Sequence, residues 1–219
     1  MSSGRPRIAV VDYDMGNRRS VEKALEHVGA SASITREFDE LEQADALVLP
    51  GVGAFPAGMA NLRRYGLDSL LAQRVAAGTP LLGVCLGMQL LFDSSTELGE
   101  LTPGLGLIGG EVRELDAGQL RIPHIGWNEV RFERPSPLTA ELGLDSAPFY
   151  HVHSYVAHPE DPETVVGTAE YGERFATIVA KGPVFGAQFH PEKSSRDGLA
   201  LLASFVRLVQ PASPAEARA

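Results

Sequence analysis

The chain has 219 residues, of which 44% are hydrophobic and 21% charged, and its formal net charge is −9; this is the balance of a globular protein with a sizeable core. An acidic chain with no Lys/Arg stripe does not neutralise phosphates, which argues against nucleic acid as a partner. One cysteine cannot close an internal disulfide, and no run reads as a signal peptide or membrane span, so the expected place is the cytoplasm with no membrane partner.

In chain order, apolar runs predict a strand over 8–11, a helix over 17–28 closed by Gly29, a strand over 46–49 and a helix over 67–77 closed by Gly78. A strand over 81–84 then leads through Cys85 into a helix-like run. Strands alternating with helices make a parallel sheet covered on both faces, with ligands beyond the carboxyl ends of the strands. Pro50-Gly51-Val52-Gly53 and Cys85 both fall there and should face one crevice. Between residues 101 and 171 Gly and Pro punctuate short stretches at 110–115, 129–132 and 149–156, as in an antiparallel region. A further strand-like run covers 184–189, and 197–209 carries Leu199, Leu202, Phe205, Val206 and Val209 at helical spacing. The expected fold is α/β: a doubly wound, mostly parallel sheet with helices on both faces and antiparallel β additions. It forms one domain over 1–210 with a frayed tail at 211–219.

Gly83-Val84-Cys85-Leu86-Gly87 has the pattern of a nucleophile elbow. A strand-to-helix turn this sharp excludes bulky flanking residues and lifts the side chain clear of the sheet, with backbone N–H groups and a helix N-terminus aimed at it. Such a setting favours the nucleophilic thiolate; the competing reading is a small buried apolar cysteine. A thiolate attacking a carboxamide needs a proton donor for the departing ammonia and then a base for water, and one imidazole can serve as both. His190 is the best placed of six histidines, at the end of a late strand, and Glu192 would share its face in extended chain that Pro191 favours. A surface turn is the alternative there. Oxyanion donors are expected from the Leu86 N–H and from Gly51, Val52 and Gly53, where glycine lets the backbone approach a ligand; a plain tight turn is the alternative for that loop.

These elements, in this order, resemble the triad (class I) glutamine amidotransferases, with Cys85, His190 and Glu192 at the positions of that family's triad. Within it, Pro50-Gly51-Val52-Gly53-Ala54-Phe55, Asp12-Tyr13-x-Met15-Gly16-Asn17, Pro123-His124-Ile125-Gly126-Trp127-Asn128, Phe149-Tyr150-x-Val152-His153-Ser154-Tyr155 and Gln188-Phe189-His190-Pro191-Glu192-Lys193-Ser194 resemble the glutaminase subunits of imidazole glycerol phosphate synthases. The landmarks run from residue 8 to 195. Two positions depart from the pattern: Asp14 stands where a small Gly is expected, and Arg18 where Leu is common. The resemblance implies hydrolysis of L-glutamine to glutamate and ammonia, without a cofactor. The ammonia would pass to a separate HisF-type cyclase, a (β/α)8 barrel, in a heterodimer that makes imidazole glycerol phosphate and AICAR. Asn17, His124, Trp127, Tyr155 and Lys193 are the candidates for the partner interface, and Gln89 for holding substrate; core packing, solvated charge and helix-face packing are the plainer readings of Trp127, Lys193 and Gln89 respectively. His151-x-His153 lacks carboxylate or thiolate partners at a familiar spacing, so no metal site is expected. The alternatives are an amidotransferase subunit of another synthase, a non-catalytic interaction module on the same fold, or a thiol redox sensor.

Overall fold

In a computed structural model, residues 4–143 and 145–209 are described; the predicted tail at 211–219 lies outside them. The chain opens with β1 (Arg7–Val11), α1 (Arg18–His27), β2 (Ser31–Thr35), α2 (Phe38–Gln43), β3 (Ala46–Gly51), α3 (Phe55–Arg64), α4 (Leu67–Ala76), β4 (Leu81–Cys85) and α5 (Leu86–Gln89). It continues through β5 (Phe92–Ser95), β6 (Thr102–Pro103), β7 (Ile108–Glu114), β8 (His124–Phe132), β9 (Ser146–His153), β10 (Tyr155–Pro159), β11 (Val165–Tyr171), β12 (Glu173–Lys181) and β13 (Val184–Ala187), and closes with α6 (Ser195–Val209).

Five strands pair in parallel in the order β2-β1-β3-β4-β13, the doubly wound arrangement the alternation predicts. Their side chains alternate between two cores. Ile8, Val10, Val48, Leu82 and Val84 pack with Val21 and Leu25 of α1 and Leu202 and Phe205 of α6. Ala9, Val11, Leu47, Leu49 and Leu81 pack with Phe55, Met59 and Leu62 of α3 and Leu70 and Leu71 of α4. Both faces are therefore covered by helices, which is why β1, β3, β4 and β13 read as continuous apolar runs. Beyond β13 the same sheet turns antiparallel through β12 to β10, β7 and β11, and a two-stranded ribbon, β8 with β9, joins it through β11.

The helical run expected after Cys85 is a single turn. The Leu91 amide turns to the Met88 carbonyl, and past the turn the carbonyl of Leu90 accepts from the Leu105 amide and that of Leu91 from the Leu107 and Ile108 amides. The 149–156 stretch is two strands, β9 and β10, separated at Ser154. Among the described residues no helix is long and apolar enough to cross a membrane.

Candidate active site

Cys85 ends β4 with φ 54° and ψ −113°, a region costly to a residue with a Cβ and found where the surrounding structure over-determines it. The flanking glycines show what imposes it. A Cβ on Gly83 would lie 2.6 Å from the Gly87 carbonyl oxygen, and one on Gly87 would overlap the Leu49 carbonyl of β3. Only glycine allows the turn to fold back on its own strand and against its neighbour. In the parallel register Gly51 lies opposite Cys85, which brings the strand-end loop of β3 alongside the elbow.

A cavity of about 310 Å³ opens at this point, lined by Cys85, Leu86, Val52, Gly53, Gln89, Glu97, Val152, His153, Tyr155, His190 and Lys193 among others. Val52, Gly53 and Leu86 border it, while Gly51 is buried behind. The Cys85 sulfur is 3.8 Å from the Val152 carbonyl oxygen and 4.0 Å from Gln188 Nε2. Gln89 is buried in the lining; its amide nitrogen donates to the Tyr155 carbonyl at 3.0 Å and to Gln188 Oε1 at 3.1 Å.

His190 follows β13 and is 1% exposed. Its backbone N–H donates to the Tyr150 carbonyl at 3.0 Å, and its own carbonyl accepts from Ser194 Oγ at 2.7 Å, so the ring is held from β9 as well as from its own strand. His190 Nδ1 donates to Glu192 Oε1 at 2.9 Å, with both side chains buried. That fixes the tautomer and leaves Nε2 for a partner. Burial works to lower the His190 pKa, but hydrogen bonding to and the charges of Cys85 and Glu192 outweigh it and raise it to about 9. An imidazole bonded to a carboxylate and lining the same cavity as a thiol can give a proton to a leaving amine and take one back from water.

One detail differs from the sequence reading of this segment. Glu192 does not reach His190 along extended chain: His190 itself is extended, and Pro191–Lys193 form a 3₁₀ turn that swings the carboxylate back under the ring. Proline is pre-set for the first position of such a turn, while the residue before it is pushed to extended geometry. Asn17, a candidate for the partner-facing surface, is half-buried, and its amide donates to Glu192 Oε1 at 2.7 Å.

Of the other interface candidates, His124 faces the interior. It is 3% exposed, stacked on Tyr171 at 4.1 Å, with Nδ1 3.2 Å from His153 Nε2. Along β8 the side chains alternate, so His124 faces in while Ile125 and Trp127, 60% and 55% exposed, face solvent. Tyr155 and Lys193 border the cavity, and Lys193 is exposed. Glu97 and Gln188 were not anticipated. Glu97 lies on the loop after β5, in a stretch without motif, and is half-buried with Oε2 accepting the Phe55 N–H at 2.6 Å. Burial, against that bond, raises its pKa. No group of His, Cys, Asp and Glu able to hold a metal ion occurs among the described residues.

Comparison with known proteins places this geometry in context. A model of the glutamine amidotransferase class-I family matches residues 9–208. The imidazole glycerol phosphate synthase subunit HisH of Moorella thermoacetica is 49% identical over 210 residues, covering 95% of this chain and 98% of its own length. The HisH of Bacillus velezensis is 46% identical over 206 residues, covering 92% of this chain and 96% of its own length. Among solved structures, a glutamine amidotransferase superposes with a TM-score of 0.72 at 25% identity, covering 92% of this chain and 98% of that one. PurLQS from Thermotoga maritima superposes at 0.75 with 22% identity, covering 94% and 99%, a likeness of fold.

Proposed function

This chain belongs to the class-I glutamine amidotransferases, and from that premise we propose that it is the glutaminase subunit of an imidazole glycerol phosphate synthase, acting in histidine biosynthesis. The observation that carries the chemistry is Cys85 and the buried His190 lining one cavity sized for one small metabolite, with the His190 ring bonded to Glu192. The observation that favours this synthase over others is the near full-length match to HisH subunits.

The Cys85 thiolate attacks the side-chain amide carbon of glutamine, and the oxyanion is met by the Leu86 N–H and a peptide N–H of the Gly51–Val52–Gly53 loop. His190 gives its proton to the departing nitrogen as the tetrahedral intermediate collapses, releasing ammonia and leaving a thioester on sulfur. Neutral His190 then draws a proton from water, which attacks the thioester and frees glutamate. Glu192 holds the imidazole in one tautomer and offsets its charge. Leu86, Val52 and Gly53 line the cavity where the oxyanion forms, and Glu97 is the carboxylate in that lining suited to the substrate ammonium. Gln89 holds the substrate through its remaining amide oxygen.

Ammonia is a nucleophile only while unprotonated, so the amidotransferase domain, over 1–210, passes it directly to a HisF-type cyclase across a sealed interface. The exposed Trp127 and Ile125 on β8, with Lys193 and Tyr155 at the cavity mouth, supply that interface; large exposed aromatics are the usual anchors. A free nucleophilic thiol suits the reducing cytoplasm. The test is glutamate release by the chain mixed with its cyclase and the cyclase's ribotide ligand. Activity is expected in the complex and its loss in Cys85→Ala without loss of assembly; a fully assembled, ligand-saturated complex that releases no glutamate overturns the proposal.

A further inference from the structure

The loop between β1 and α1, residues 12–17, touches both halves of the site. On one side Tyr13 lies against Gly51, a Cβ on Gly53 would come 2.7 Å from the Met15 methyl, and one on Gly16 would come 2.8 Å from Val52 Cγ2. On the other side Asn17 Nδ2 donates to Glu192 Oε1 at 2.7 Å. The same Glu192 oxygen accepts from His190 Nδ1, while Oε2 is buried with no partner among the described residues. Since Nδ1 carries its proton toward Glu192, the 3.2 Å approach of Asn17 Nδ2 to Nδ1 is a contact between donors. The Asn17 amide therefore acts on the carboxylate. A buried carboxylate needs its hydrogen bonds, and here Asn17 supplies the one that does not come from the histidine.

The loop is built to hold that amide still. Asn17 sits at φ 76° and Asp14 at φ 62°, left-handed positions that Asn and Asp tolerate better than most residues. Arg18 pairs with Asp12; Arg36 reaches Asp12 at 3.0 Å and Asp14 at 2.5 Å; the Tyr65 hydroxyl donates to Asp14; and the Arg36 guanidinium lies 4.4 Å over the Tyr65 ring. The two departures from the family pattern, Asp14 and Arg18, thus belong to one network that fastens the loop. Resting on the functional reading above, we infer that Asn17 is a positioning residue for the reaction, orienting Glu192 and through it His190, with the Asp12–Arg18–Arg36–Asp14–Tyr65 network as its mount.

Asn17→Gly removes the amide while keeping the left-handed backbone unstrained, and Asn17→Asp keeps the shape while replacing the donor by an acceptor. Both variants are to be compared with wild type for kcat and KM with glutamine in the cyclase complex at saturating partner. The rate of Cys85 alkylation by iodoacetamide in the chain alone provides a second readout. The expected result is a fall in kcat of roughly tenfold or more in both, the size of a lost hydrogen bond to a charged group. KM should stay within about twofold because Asn17 is outside the cavity lining, and alkylation should slow. Wild-type kcat and wild-type alkylation in the Gly and Asp variants, or a defect confined to partner affinity, overturns the inference. An inactive wild-type complex whose Cys85 alkylation still slows in both variants points to failure of the glutaminase reading alone.

Discussion

Acidification should unfold this protein through histidines that its chemistry does not use. His124, His151 and His153 form a buried cluster, with ring centroids of 5.0 to 5.5 Å. Their acceptors fix each as the neutral Nδ1–H tautomer: His153 Nδ1 faces the Tyr155 carbonyl at 3.1 Å, His151 Nδ1 the Phe149 carbonyl at 3.1 Å, and His124 Nδ1 the His153 Nε2 at 3.2 Å. A proton on His153 Nε2 would confront the N–H of His124, and one on His124 Nε2 would confront the Asn128 amide. Burial, reinforced for His151 and His153 by the neighbouring imidazoles, lowers all three pKa values, that of His151 to about 3. Because the folded values lie below the ordinary 6.5, the unfolded chain binds more protons as pH falls through 6.5, and stability is lost in that direction. His190, raised to about 9, is charged in both states below 6.5 and silent there; its contribution is full below 6.5 and lost as pH rises through 9. Between pH 7 and 5.5 each histidine that stays neutral in the fold costs about 1.3 kcal/mol. His151 and His153 together thus remove roughly 2.5 kcal/mol, and His124 adds in the same sense; His190 returns somewhat under ~1 kcal/mol over the same window as its unfolded form charges, against a total of about 5–15 kcal/mol for a typical domain. Urea unfolding followed by circular dichroism between pH 7.5 and 5 is expected to show uptake of at least about two protons near pH 5.5. A stability flat with pH across that range would refute the buried neutral cluster.

Two substitutions probe other buried polar groups. Tyr13 is fully buried, its hydroxyl has no partner among the described residues, and burial, then the charge of Cys85, raise its pKa. Tyr13→Phe deletes a desolvated group and should stabilise the fold by about 1–2 kcal/mol, a rise in Tm of roughly 2–8 °C at this chain length; a lower Tm would show that the hydroxyl is paired in solution. Glu97→Gln keeps an acceptor for the Phe55 N–H but removes the charge offered to the substrate ammonium, so KM for glutamine should rise roughly tenfold with kcat little changed. An unchanged KM would assign Glu97 to capping α3 alone.

How far the sequence reveals this molecule depends on how local each constraint is. Gly83 and Gly87 report close approaches within one turn and against the adjacent strand, so the elbow at Cys85 is legible from five residues. The parallel block is legible because β1, β3, β4 and β13 are buried on both faces and read as unbroken apolar runs. β2, Ser-Ala-Ser-Ile-Thr at the sheet edge, and α2, only six residues long, carry no such signal. Nor does the single turn of α5, beyond which the Leu90 and Leu91 carbonyls accept amides from residues 105, 107 and 108.

The partner-facing candidates separate for the same reason. Once β8 is known to begin at His124, period-two alternation sends Ile125 and Trp127 outward and His124 inward, yet nothing in the local pattern fixes that start. Asn17 is harder still, since its partner lies on the turn after the last strand, and a left-handed Asn before a helix reads as an ordinary cap; the structure gives it no side-chain bond to its own helix. The amide left free by that missing cap is the one that reaches Glu192. A residue that forgoes the bond its position favours, worth about 1 kcal/mol, while satisfying a buried carboxylate elsewhere is a local sacrifice with a long-range return, and such inconsistencies between local propensity and tertiary contact mark functional sites.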